Sequence, residues 1–434
     1  KQGSTGTDYP ESGIPANKTD KYTRAKTAFA VYSADDQSLT FYKRFEMPAE
    51  GGVFEGKTAT AVYTGFETQA YDNHSSNVPW LSYRSNIKTV TVADAGVAPV
   101  STAYWFKGMT ALESADISKL DTRNLTTIRS MFNGCSALTS LDLSSFDTSV
   151  VVDMGFVFEN CSALTTLDLS SFDTSNVADM SYLFYGCTAL TSLDLSSFDT
   201  GNVTTMREIF MNCKSLTSLD LSSFDTSKVR DFYHVFGNCG SLTTLDLSSF
   251  DTRSAVDMRN MFSGCGSLTS LDLSSFDTRS VTQISHMFDG CKSLTSLDLS
   301  SFDTSKVSQM YGTFQGCKSL TSLDLSSFDT RSVENMSYLF AGCESLTSLD
   351  LSSFDTHNVE VMDGLFIACK ALTSLNLSSF DTSNVMGMHG IFNGCSALTS
   401  LDLSSFDTRN VTDMDYLFRN CSALQKVALG ANWK

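Results

Sequence analysis

Basic side chains are scarce in this chain. Its 434 residues hold 30 Lys and Arg against 48 Asp and Glu, a net charge of −18. Binding to nucleic acid or to anionic lipid needs a basic face, so both are excluded as partners. No run of 18 apolar residues occurs, so membrane insertion is not expected. Motifs of chemistry are missing too. There is no H-E-x-x-H, no convincing phosphate loop and no G-x-S-x-G. The five histidines, at 74, 234, 286, 357 and 389, share no common position. No close C-x-x-C pair exists, so no zinc site is read. An enzyme, a metal and a cofactor are all unexpected.

No cysteine falls out of register. The 12 cysteines stand at 135, 161, 187, 213, 239, 265, 291, 317, 343, 369, 395 and 421, every gap being 26. A strict period of this size is the mark of a repeat array. The segment 1–25 is polar and Gly/Ser/Thr-rich, and reads as a disordered leader. The segment 26–108 has no repeat. Its runs FAVYS and LTFYKRF flank a turn and predict a hairpin, and Trp80 and Trp105 are its expected core anchors, so it reads as a small β-rich N-terminal cap. From Met109 to Lys434 the register gives about 12.5 units, the last of which departs from the pattern as a terminal cap would.

The unit from Cys187 is representative. Leu190, Leu193 and Leu195 form L-x-x-L-x-L, a leucine-rich-repeat strand signature, with Asp194 on the opposite face. Val203, Met206, Ile209 and Phe210 then follow helical spacing, after Asp and Thr that suit an N-cap. The Gly or Asn before each cysteine suits a left-handed stop, and Ala368 is the exception. These signals predict an α/β solenoid: a leucine-rich-repeat array of 26-residue units, each a short parallel strand plus a short helix or 3-10 turn.

The consensus C-x-x-L-x-x-L-D-L-S-S-F-D-T resembles the BspA-like and mycoplasma-type leucine-rich repeats of bacterial surface proteins, over residues 109–429. The resemblance implies export to the bacterial cell surface, with signal peptide and anchor outside this chain, and adhesion to a host protein or glycan. A passive stalk that displays another domain is the alternative. A monomer is expected.

Four constellations have separate readings. The cysteines precede the core leucine by three, an inward position, and read as a reduced packing column rather than as bridges. One acidic row runs through Asp142, Asp168, Asp194, Asp220, Asp246, Asp272, Asp298, Asp324, Asp350 and Asp402, with Asn376 interposed. Neighbouring carboxylates about 5 Å apart repel by roughly 1 kcal/mol even in water, so hydroxyls, counter-ions or a ligand must compensate. The row is a candidate binding face, a hydroxyl-bonded solubilising edge, or a calcium site. A second row, from Asp147 to Asp407, precedes Thr in every unit and reads as turn and cap residues. On the opposite side of the unit, where the sequence varies most, lie the candidate aromatic contacts Tyr182, Tyr185, Tyr233, Tyr311, Tyr338 and Tyr416.

Overall fold

The computed structural model describes residues 25–70 and 78–434. The leader reading for 1–25 therefore lies almost wholly outside the described residues, as does His74. The first elements are β1 (Thr27–Ser33), β2 (Ser38–Arg44), the small hairpin β3 (Val53–Phe54) and β4 (Lys57–Thr58), β5 (Ala61–Thr64) and β6 (Thr89–Val92). The predicted hairpin forms, with β1 antiparallel to β2 from Thr27 opposite Arg44 to Ser33 opposite Ser38. A five-stranded sheet runs in the order β5-β1-β2-β6-β7. Its edge strand, β7 (Ser114–Asp116), is parallel to β6 and carries the first copy of the repeat strand. The sheet thus continues directly into the array. Phe41, Phe66, Trp80 and Trp105 interlock as edge-on and stacked rings between sheet and first coil. One apolar core extends without a break from Ala28 to Leu417.

The array is a β-solenoid of about 13 turns with a spacing of 26 residues. The predicted turn of helix does not form: from 109 to 434 there is no α-helical or 3-10 residue. The reason is two left-handed residues, four apart, in every coil. The first position runs Tyr104, Ser130, Phe156, Tyr182, Glu208, His234, Asn260, His286, Gly312, Tyr338, Gly364, Gly390 and Tyr416, with φ between 53° and 64°. The second runs from Gly108 to Asn420, with φ between 58° and 82°. Two consecutive turns replace the helix, and the apolar spacing is satisfied by them.

These turns bond coil to coil. Phe156, Phe158 and Asn160 donate their backbone N–H to Ser181, Leu183 and Tyr185 of the next coil. The same rule holds down the array, with alternate N–H groups all directed forward. Beside this column a single-residue parallel bridge links each coil to the next, from Thr127–Asp153 to Gly387–Asp413. Inside, Phe132, Phe158, Phe184, Phe210 and their successors to Phe418 form one stack with centroids 5.6–6.1 Å apart.

The expected strand of each unit is regular at β7 and then only near the C-terminal end. There β8 (Ser348–Asp350) pairs with β9 (Ser374–Asn376), and β10 (Ser400–Leu403) with β11 (Lys426–Leu429), both parallel. In the coils between, the Leu-Asp-Leu segment is extended without a full ladder.

Candidate binding surface

On the strand face the leucines alternate inward and the aspartates outward. Leu193 and Leu195 are buried while Asp194 is exposed, and the pattern repeats in every coil. One carboxylate oxygen of each aspartate accepts the backbone N–H two residues on: Asp142 from Ser144, Asp194 from Ser196 and Asp246 from Ser248, at 2.9–3.0 Å. The serine bonds hold Asp142, Asp168, Asp194, Asp220, Asp246, Asp272, Asp298, Asp324, Asp350 and Asp402 below the usual carboxylate range. Among the described residues none of the ten forms an ion pair. A depression of about 910 Å³ opens over Asp220, Asp246 and Asp272, lined also by Ser218, Thr244 and Ser270.

The second acidic row does the turn work expected of it. Asp147, Asp225 and Asp303 accept from the residue two on, at 2.9–3.0 Å. Arg123, Arg253, Arg279, Arg331 and Arg409 pair with the aspartate two residues before them. Capping a helix is not part of this role, since no helix follows. The neighbouring threonine was passed over as a cap residue, yet it crosses between coils. Thr252, fully buried, donates to the Asp277 carbonyl at 3.0 Å and accepts the Asp277 N–H at 2.8 Å. The constant Asp-Thr pair was the available signal.

On the turn face the six tyrosines fall into two groups. Tyr182 stacks on Phe156 at 4.4 Å and donates its hydroxyl to Glu208 at 2.8 Å, while Arg207 donates to the Tyr182 hydroxyl oxygen at 3.3 Å. Tyr185 leans against Tyr182. Tyr233 lies between the guanidinium groups of Arg207 and Arg259, 4.0 and 5.1 Å from its ring centre. Burial, reinforced by Arg207, pushes the neighbouring His234 down to about 4, so it is neutral. Tyr182, Arg207 and Glu208 bond one another, while the buried Nδ1 of His234 has no partner. Tyr311 and Tyr338 differ. They meet edge to face at 5.6 Å, with His286 edge-on to Tyr311 at 4.6 Å and no guanidinium over either ring among the described residues; their hydroxyls, like those of Tyr185, Tyr233 and Tyr416, have no protein partner there. Tyr416 pairs with His389 at 5.3 Å under Arg419.

The glycines of the first left-handed position make room for these rings. A Cβ on Gly312 would stand 2.6 Å from the His286 ring, and one on Gly364 the same distance from Tyr338. Each ring lies against the glycine of the following coil.

All twelve cysteines are free, and all but Cys421 are buried. Each thiol points at the carbonyl of a Phe 29 residues earlier, as Cys239 does to Phe210 at 3.0 Å. Burial pushes Cys187, Cys265 and Cys395 up to about 12, and the deepest thiols further. Among the described residues no three His, Cys, Asp or Glu side chains are placed to hold a metal ion.

Parallel coils of L-x-x-L-x-L pattern around one core define a leucine-rich-repeat solenoid. The chain belongs to the BspA-like leucine-rich-repeat family: the family described as "Mycoplasma protein of unknown function, DUF285" matches residues 100–193, 184–294, 267–373 and 341–434. Solved structures similar to it include a leucine-rich repeat protein from Bacteroides ovatus, at 15% identity over 94% of this chain and 99% of that one, with a TM-score of 0.39. Another, from Eubacterium ventriosum, has 17% identity over 95% and 91%, with a TM-score of 0.38. A leucine-rich cell surface protein from Faecalibacterium prausnitzii has 16% identity over 95% and 96%, with a TM-score of 0.34. No curated protein matches the chain.

Proposed function

We propose that this protein is a bacterial cell-surface adhesin, binding a host protein or glycan through the side of its solenoid. One observation carries the reading. Phe156, Tyr182, His234, His286, Tyr338 and Tyr416 hold left-handed backbone, where glycine serves at 312, 364 and 390. A bulky residue there costs about 1–2 kcal/mol relative to glycine. Strain retained on a surface marks function more than folding. The strand face supports the same reading, since its carboxylates have no cationic partner of their own. Identical coils would add weak contacts by avidity. No helix among the described residues is long and apolar enough to cross a membrane.

The test is a binding screen of the full chain against immobilised host matrix proteins and glycans. Two variants accompany it, one with Asp194, Asp220, Asp246, Asp272 and Asp298 changed to Asn, the other with Tyr311 and Tyr338 changed to Ala. A ligand retained by the wild type and lost by either variant supports the adhesin and assigns the face. A wild type that binds nothing overturns it and leaves the passive stalk.

A further inference from the structure

The turn face changes character along the array. The bridge position is acidic at Asp153, Asp179, Asp231 and Asp257, then becomes Gln283, Gln309 and Asn335 in three consecutive coils. The guanidinium groups of the position beside the rings, Arg129, Arg207 and Arg259, all lie in earlier coils. In this stretch, amides therefore replace the charged network, and His286, Tyr311 and Tyr338 lie beside them.

Gln309 donates one amide N–H to Glu334 at 3.2 Å and the Asn335 oxygen accepts the Ser337 N–H at 2.8 Å, so each of these amides keeps one end open, and other groups here are wholly unspent. The Gln283 side chain has no protein partner among the described residues, and neither do the two phenol hydroxyls. Ser337, which precedes Tyr338 and is the equivalent of Tyr311 one coil on, is 3% exposed, and its buried hydroxyl has no partner. A buried unpaired hydroxyl costs about 1–3 kcal/mol, so the patch carries an unmet polar group beneath its rings. The local charge is carboxylate, with Asp289 bonded to His286 and Glu334 to Gln309.

We infer that the patch formed by Gln283, His286, Gln309, Tyr311, Asn335 and Tyr338 binds a neutral glycan. The inference rests on the adhesin reading and narrows it. A pyranose offers C–H faces to aromatic rings and hydroxyls that both donate and accept, which amides and phenols match. A sulfated or uronic-acid chain would meet Asp289 and Glu334, neither of which has a Lys or Arg partner among the described residues. A protein partner would gain little from the amide row, whose hydrogen bonds suit hydroxyls along an extended polymer. Gly312 and Gly364 keep the rings low against the coils, so the floor of the patch is backbone.

The experiment titrates the full chain with neutral oligosaccharides, including cellohexaose and maltohexaose, and with a hyaluronan hexasaccharide. Neutral sugars are expected to bind, and Tyr311→Ala with Tyr338→Ala to weaken them by about tenfold or more. Gln283→Ala, at a side chain with no structural bond, should weaken them with the thermal transition unchanged, which separates lost contacts from lost folding. The strand-face Asp246→Asn variant should bind as wild type. Preference for hyaluronan, or wild-type affinity in both patch variants, overturns the inference. Binding of a host protein with no sugar bound overturns it while the adhesin stands. Binding of neither overturns both.

Discussion

The indole N–H of Trp80 donates to the carbonyl of Trp105 at 2.6 Å, inside the junction of cap and array. Trp105 occupies the slot whose carbonyl, in every later coil, receives an N–H from the coil before. The first coil has no coil before it, and Trp80 supplies the missing donor. The indole N–H of Trp105 itself is buried with no partner. Trp80→Phe should therefore destabilise more than Trp105→Phe, by about 1–3 kcal/mol for the orphaned carbonyl. Urea unfolding of the two variants checks this, and equal losses would refute it.

Ala368 holds φ 59° in a slot where eight of its twelve equivalents, such as Gly342 at 73°, are glycine and the other four asparagine. Ala368→Gly should stabilise the array by up to about 1 kcal/mol, and Gly342→Ala should destabilise it by a similar amount. A Cβ at Gly342 would only touch Gly316 at 3.5 Å, so the loss comes from backbone strain. Hydrogen exchange in the flanking coils reads both changes.

Thr252→Val keeps the shape and removes the hydroxyl that serves both the N–H and the carbonyl of Asp277. Two backbone groups lose their partner, at a cost of about 1–3 kcal/mol. Thr252→Ser restores the hydroxyl and should recover most of the loss. Recovery is read from denaturant midpoints of the three proteins.

The buried thiols set a dependence on alkaline pH. Their folded pKa is raised, to about 12 for Cys265, by burial. Unfolded thiols ionise from about pH 8.5, so above it the unfolded state binds fewer protons and stability falls. The loss is about 1.4 kcal/mol per pH unit for each thiol, up to the folded pKa, and stability is level with respect to these groups below pH 8. Midpoints between pH 7 and 10 test the slope. Alkylation at pH 8 should modify Cys421 readily in the folded protein and the other eleven only after denaturation.

The repeat was legible because its period is written in Cys, Leu and Asp, residue types that answer directly to burial. Leu193 and Leu195 face the core and Asp194 faces water, as alternation requires. The left-handed second position was legible as well, since glycine and asparagine favour it. The first was not. Tyr182, His234 and Tyr338 are poor residues for a positive φ, and nothing in their chemistry announces one. Without that position, Val203, Met206, Ile209 and Phe210 have the spacing of a helix. The threonine column was hidden for a related reason: a threonine after aspartate reads equally as a local cap and as a bridge to another coil. The division of the tyrosines, with Tyr182 and Tyr233 bound up with arginines and Tyr311 and Tyr338 free, depends on which coil lies beside which.

The forward-pointing N–H groups give the molecule an electrical direction. Met154, Phe156, Phe158 and Asn160 all donate the same way, and most coils repeat the set of four. Peptide dipoles aligned in this way add head to tail, as they do along an α-helix. A backward bond such as Val152 to Thr126 recurs in most coils and offsets only part of the set of four, so the sum makes the Trp80 end relatively negative and the far end relatively positive, on top of a side-chain charge of −18. Two solenoids lying side by side would therefore favour opposite orientations, a preference set by backbone alone and untouched by any surface substitution.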